Sequence, residues 1–353
     1  FSALGVALAV SILVVGRFAI DSVERLVDVQ FEKVQREDVM ITFQEPRAER
    51  VRHTLAQLPG VLRVEPFREV PARLRLGHRS RLAAVLGLDS GAQLRRILDR
   101  NLRAVNLPPE GLVLNSKLAE ILGARAGDML TIEVLEGARP VLTAPVALLI
   151  DEPVGLGAYM QAEALHRLMR EAGTVSGAYL QVDPARSAKL YSFLKRTPSI
   201  NGVAVREAAL ASFWKTFGES LVWTTLVLAG FACVIALGIV YNGARMALSE
   251  RGHELACLRV LGFTRVEIGR ILLGEQGLLT LPAIPAGFLI GLWLSFWLSK
   301  AMSRETFRLP FVVNAGTYAF AAMVVLAAAA VSGLIVALRL QRMDLTEVLK
   351  SRE

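Results

Sequence analysis

Four long apolar runs divide the chain: Phe1–Gly16, Leu221–Tyr241, Ile271–Leu298 and Thr317–Leu338. They are nearly free of charge, and a transmembrane helix needs about 20 such residues. The middle of the second reads LVLAGFACVIALGIV and that of the fourth AFAAMVVLAAAAVSGLIVAL. The first run is short by this measure. It continues into RFAIDSVERLVDVQFEKVQ, where Ile20, Val23, Val27, Phe31 and Val34 recur at helical spacing. We read it as a span that lengthens outward into a stalk helix. A secretory signal core is the alternative, but neither a basic leading region nor a cleavage site is clear. The chain opens on Phe1, without Met or a charged flank, which predicts a longer native chain.

Between the first two runs lie about 200 mixed residues, Arg17–Thr216, too many for a loop and enough for a folded domain. Two stretches in it resemble each other, Met40–Pro66 and Ala178–Glu207. Each has an alternating strand, then an acid followed by proline (Glu45-Pro46, Asp183-Pro184), a helix of about three turns, a second proline and a returning strand. Proline suits a helix's first turn because its missing N–H is unpaired there anyway. The two strand–helix–strand units are predicted to pair into one α+β lobe. Between them, LAEILGARAGDMLTIEVLEG predicts a helix, a Gly-Asp turn and a strand, PVLTAPVALLID another strand, and QAEALHRLMREAG a short helix.

The expected fold is an α-helical membrane protein with four spans and a large α+β extracytoplasmic domain, in two lobes, between spans 1 and 2. Residues 1–38 form span 1 and the stalk, and 39–207 the outer domain. Its first lobe takes 39–76 plus 177–207 and its β-rich insert about 77–176. Residues 208–338 hold a second stalk and spans 2–4, with a short helix within 245–265, and 339–353 form a tail. Trp214, Phe217 and Trp223 suit a membrane interface.

Composition supports this picture: 53% of residues are hydrophobic and mean hydropathy is +0.45. The net charge is +8, and Arg47–Arg103 carries all of it, with thirteen Arg against five acids. Arg63, Arg68, Arg73, Arg75, Arg79 and Arg81 are candidates for an anion-facing surface toward lipid headgroups, an acidic ligand or an acidic partner. A solvated face of an arginine-biased chain is the plainer reading. Nucleic acid is not an expected partner of a four-span chain. Two cysteines and four scattered histidines make neither a disulfide framework nor a metal site.

Short loops near span ends set orientation by their Lys and Arg. The loop between spans 2 and 3 has five, the tail four, and the loop between spans 3 and 4 three. The first two are therefore expected in the cytoplasm of a bacterial inner membrane, with residues about 17–216 outside.

Chemistry of the chain's own is sparse. No Gly-Lys pair occurs, so there is no phosphate-binding Walker loop. The spans lack the acid and base chains of a proton pump. Glu275 sits near the start of span 3, and Pro282 and Pro285 further along it are candidates for a bend. Ser116 and Ser176 have no evident base partner, so no enzyme mechanism finds a starting point.

The most charged short connection is SERGHELACLRVLG, Ser249–Gly262. As a helix it places Glu250, Glu254, Leu258 and Leu261 on one stripe and Arg251, Leu255, Arg259 and Gly262 on the next. Glu250 and Glu254 repel at i,i+4, so the charges do not serve the helix alone. Gly262 stands where a helix stops. Thr264 and Glu267 have the spacing of a capping box for the next helix.

The stretch YNGARMALSERGHELACLRVLGFTRVEIGRILLGEQGLL resembles the signature of FtsX-like ABC-transporter permeases, including the MacB-type and LolC/LolE-type proteins. Glu250, Arg251, Glu254, Leu255, Leu258, Arg259, Leu261, Gly262, Phe263 and Thr264 carry the likeness, and Glu275 matches an acid that opens the following span. The layout of one span, a large outer domain and three spans is similar across nearly the whole chain. The resemblance implies a coupling helix that docks in a cleft of a cytosolic ABC ATPase. It implies a second permease subunit, ATP and Mg held by the partner ATPase and no cofactor on this chain. It makes the lobe at 39–76 and 177–207 a porter-like lobe. A periplasmic adaptor or lipoprotein and membrane lipids are further expected partners. The implied role is export or extraction of an envelope substrate driven by movement of the outer domain. The alternatives are a non-transporting regulator that activates a cell-wall hydrolase and a membrane-anchored sensor without an ATPase. A basic segment before span 1, usual in the family, is missing here, which fits either a trimmed four-span permease or half of a longer one.

Overall fold

The computed structural model describes residues 2–99, 101–152, 155–250, 261–302 and 310–342. The chain starts with α1 (Ser2–Asp28), which continues through a π-helical turn, Val29–Val34. The strand-rich segment then runs β1 (Val39–Ala48), α2 (Val51–Ala56), β2 (Val61–Leu76), β3 (Arg79–Leu88), β4 (Leu112–Asn115) and α3 (Ser116–Leu122). It goes on through β5 (Met129–Val134), β6 (Val141–Ile150), β7 (Ala158–Gln161), α4 (Ala162–Met169), β8 (Thr174–Val182), α5 (Ser187–Arg196), β9 (Ile200–Val205) and α6 (Arg206–Phe213). A second π turn, Trp214–Gly218, precedes α7 (Glu219–Glu250), and α8 (Arg265–Met302) and α9 (Ala315–Arg342) complete the chain.

Among the described residues, four helical stretches are long and apolar enough to cross a membrane: Ala3–Val34, Arg206–Gly243, Thr280–Met302 and Ala315–Ile335. The protein is a multi-pass membrane protein. The apolar helices form one compact unit, and Arg25–Thr216 make up the body of the other.

In the helical unit α1 contributes to a shared buried cluster. Ala7, Val10 and Val14 are buried together with Ala232 and Ala236 of α7 and Ala321, Val325 and Ala328 of α9. Water does not drive such packing inside a bilayer, so close backbone approach at small residues does. Gly287 and Gly291 of α8 show it: an added Cβ would stand 2.6 Å from Val10 and 2.8 Å from Val14. Asp21, 4% exposed, ties α1 to the start of α9. It accepts from the Asn314 N–H at 2.9 Å and the Thr317 hydroxyl at 2.6 Å.

In the strand-rich domain nine strands among the described residues form one connected sheet, ordered β3-β7-β4-β6-β5-β2-β8-β1-β9. The two repeat units interleave at one end. β1 pairs antiparallel with β8 and β9, and β8 with β2, so β8 fills the gap between β1 and β2. This is a split β-α-β arrangement. Val39, Ile41, Val64 and Leu180 of the strands are buried with Leu190 and Leu194 of α5. Asp183 caps the 3-10 turn Pro184–Arg186 that leads into α5, accepting from the Ala185 N–H at 3.0 Å beside Pro184. Glu45-Pro46 behaves differently. β1 runs through it to Ala48, because Arg47 and Ala48 resume pairing with Val175 and Thr174 after an irregularity. A proline without an N–H is tolerated at such a break.

β2 changes partners midway. Val61–Phe67 pair with β8, Arg68–Leu76 with β3, and Ala72–Arg75 also with β5. A second core, with Ala72, Leu74, Leu114, Leu130 and Ile132, lies under Leu118 of α3 and Leu165 of α4. β2 thus runs through both cores, and Arg25–Thr216 cluster together.

Candidate functional site

The connection between α7 and α8 carries the residues singled out in the sequence. Glu250 is the last residue of α7. Arg251, Glu254, Leu255, Leu258 and Arg259 lie outside the described residues. The far end of the connection is described. Leu261 is 76% and Phe263 39% exposed. Gly262 between them has φ +99°, a conformation that L side chains avoid. Among the described residues nothing lies within 4 Å of the place a Cβ would take, so it is the backbone conformation that favours glycine.

Thr264 and Glu267 form the expected reciprocal cap at the start of α8. The Thr264 N–H donates to Glu267 Oε2 at 2.7 Å and its hydroxyl does so at 2.9 Å. The Glu267 N–H donates to Thr264 Oγ1 at 3.3 Å. The backbone bond from Thr264, then its hydroxyl bond, holds the Glu267 carboxyl below the usual range. Leu261, largely exposed, and Phe263, partly so, therefore sit on a turn with a fixed exit. Ordering them on a partner costs less than ordering a loose loop.

Glu275 lies within α8, ahead of the Thr280–Met302 apolar stretch. Pro282 and Pro285 lie inside that stretch, and α8 is helical through both.

The six outer arginines do not form one surface. Arg68 is 2% exposed and corrects the expectation of an anion-facing position. It donates to both oxygens of Glu171, at 3.0 and 2.8 Å, to Glu136, and to Ser176 Oγ at 2.9 Å. Its cause is strand parity: Arg68 is in phase with the inward residues Val70, Ala72 and Leu74. Arg63 pairs with Glu65 at 3.0 Å and donates to Gln93. Arg73 and Arg75 share Glu133, at 3.4 and 3.3 Å. Arg79 lies over Gly123, the left-handed residue that ends α3. Among the described residues, no group of three His, Cys, Asp or Glu side chains could hold a metal ion.

Residues 226–345, from within α7 through the exposed turn and into the tail beyond α9, match the family model described as FtsX-like permease C-terminal. That stretch is similar to an FtsX-like permease domain. Leu261–Glu267 fall inside this FtsX-like region, as does Glu275. No curated protein matches the chain. Among solved structures, it is similar to the periplasmic region of MacB from Actinobacillus actinomycetemcomitans. That likeness has 11% identity, covers 53% of this chain and 97% of that one, and has a TM-score of 0.34. It is also similar to the extracellular domain of the noncanonic ABC-type transporter YknZ from Gram-positive bacteria. There the identity is 15%, the cover 48% of this chain and 98% of that one, and the TM-score 0.31.

Proposed function

We propose that this chain is the transmembrane subunit of an ABC transporter that couples ATP hydrolysis on a separate cytosolic ATPase to movement of its periplasmic domain. The observation that carries this reading is the exposed Leu261-Gly262-Phe263 turn before a capped helix, inside the FtsX-like match. The connection between α7 and α8 faces the cytoplasm, and its Glu250–Phe263 stretch is the segment that docks on the ATPase. Leu261 and Phe263 seat in an apolar groove of the ATPase, and Glu250 and Glu254 of the same connection meet basic groups of that partner. ATP and Mg belong to the partner. A second permease subunit completes the transporter, and residues 25–216 work on an envelope substrate with an adaptor or lipoprotein. A remaining anion-facing role falls to Arg73, Arg75, Arg79 and Arg81 around the β2–β3 hairpin.

The test is co-purification of the ATPase with the full-length chain, followed by its ATP hydrolysis rate. Glu254→Arg and the double change Leu261→Ala with Phe263→Ala are each expected to lower recovery and stimulation at least several-fold, with the permease still inserted. Unchanged recovery and stimulation in both variants would refute the docking role. A cell-wall hydrolase co-purifying in place of an adaptor or lipoprotein would favour the regulatory alternative.

A further inference from the structure

The segment 34–38, between the first π turn and β1, is held from several directions. The Arg36 N–H donates to Leu94 O at 2.8 Å and the Arg96 N–H to Val34 O at 3.0 Å. Gln35 and Arg95 thereby pair as an antiparallel bridge. Val29 and Val34 are buried with Leu98. Arg206, where β9 gives way to α6, donates to Asp38 Oδ1 at 3.1 Å and to Phe31 O at 3.2 Å. The chain's path into the outer domain and its path out are clasped here, within one compact unit.

Inside this junction Glu37 is 5% exposed. Its Oε1 is 3.7 Å from Arg95 Nη1, beyond hydrogen-bond reach. Its Oε2 is buried without a hydrogen-bond partner among the described residues. Arg95 also faces a second buried carboxyl, Glu152, which accepts from the Tyr159 hydroxyl at 2.6 Å. The charged and titratable groups around Glu37 are Arg95 from the segment before β4, Arg206 from the β9–α6 junction, its neighbour Asp38, and Tyr179 of β8. Around Glu152 they are Tyr159 and Arg95. One guanidinium thus serves two buried acids, and a buried carboxylate short of hydrogen bonds is costly.

We propose that Glu37 is a proton-operated latch on this junction: protonated, it stays buried and keeps residues 34–38 zipped to 94–96; ionised, it favours an opened junction in which water reaches it. Burial, opposed in part by Arg95, raises the Glu37 carboxyl from 4.5 to about 7. A proton that binds the closed state more tightly than the open one must favour closure as pH falls. The latch is therefore fully set below about pH 4.5 and is lost progressively as pH rises to about 7. It uses only outer-domain residues, so it stands independently of any ATPase partner.

The test is hydrogen exchange on the full-length protein in nanodiscs at pH 6 and pH 8, corrected for intrinsic exchange rates. Peptides covering 30–40 and 92–99 report the Arg36 and Arg96 amides. Their opening is expected to rise about ten-fold from pH 6 to pH 8, the ratio that the raised carboxyl gives by linkage. Glu37→Gln should keep both peptides protected at both pH values. Glu152→Gln should leave the ten-fold ratio in place. A wild-type ratio near one overturns the proposal without any variant. So does a ratio that survives Glu37→Gln or disappears in Glu152→Gln alone, which would move the proton to Glu152.

Discussion

Arg68 shows what a single buried charge demands of its surroundings. It lies where β2 changes partners, and its acids come from two separate turns, Glu136 after β5 and Glu171 after α4. Removing the cation leaves both carboxylates facing each other in a mostly covered site, which costs about 3 kcal/mol or more. Arg68→Met should therefore lower the melting temperature of the full-length protein markedly, and adding Glu136→Gln and Glu171→Gln should recover most of the loss. Burial alone would push Glu171 up, but hydrogen bonds from Arg68 and Thr174 outweigh it, so its carboxyl lies below the usual range. A depressed acid contributes stability above its unfolded value and loses it as pH falls through the folded one. Glu37 has the opposite sign, since its buried form holds the proton. Converting the rise from 4.5 to about 7, Glu37→Gln should stabilise the fold by about 3 kcal/mol at pH 8 and by almost nothing at pH 4. Thermal melts of both proteins at the two pH values check this. Arg68 was legible in the parity of VPARLRL, where every second residue turns inward. Its identity as an arginine pointed to the surface instead, because charge normally outranks parity. Glu37 was not legible: nothing in QREDVM tells which of its acids the 94–96 segment will cover.

At the scale of elements, local chemistry was readable wherever a motif closes within a few residues. Thr264 and Glu267 are three apart and cap each other, and Asp183-Pro184 starts a helix as spaced. The failures came from pairing between distant residues. Glu45-Pro46 has the same local text as Asp183-Pro184, yet β8 captures Arg47 and Ala48 and the strand continues past the proline. Likewise the sequence marks an end of the first repeat at Pro66, whereas β2 runs ten residues beyond it to Leu76 because β3 and β5 supply new partners. The β2–β3 hairpin, with Leu76 opposite Arg79, was hidden by the arginines on its outward positions. The cap and the turn make the next prediction. Thr264→Ala should cost the start of α8 about 1 kcal/mol. Gly262→Ala should cost a similar amount or more, since its φ of +99° strains any side chain. Both should speed amide exchange at residues 264–268, while Thr264→Ser should restore the wild-type rate.

For the whole molecule, what matters is the side of the membrane on which each end of α7 lies. The four apolar stretches were legible in composition, and their helices follow the text closely, though the third apolar window begins at Thr280 rather than Ile271. Sidedness is not a property of helices or sheets. It rests on the nine Lys and Arg flanking two connections against three flanking the other, a margin narrowed by the basic outer segment. The proposed coupling requires Leu261 and Phe263 on the ATP side and the β2–β3 hairpin on the opposite side. Both places offer exposed side chains: Leu261 at 76% and Leu82 at 59%. With Cys233→Ser and Cys257→Ser as background, Leu261→Cys should react with a membrane-impermeant maleimide only in inside-out vesicles. Leu82→Cys should react only from outside, in spheroplasts. Adding the ATPase should then slow labelling at Leu261→Cys and leave Leu82→Cys unchanged. Labelling of both positions from one side would be incompatible with a chain that carries ATP-driven motion across the bilayer. Protection at neither position by the ATPase would separate correct orientation from failed docking.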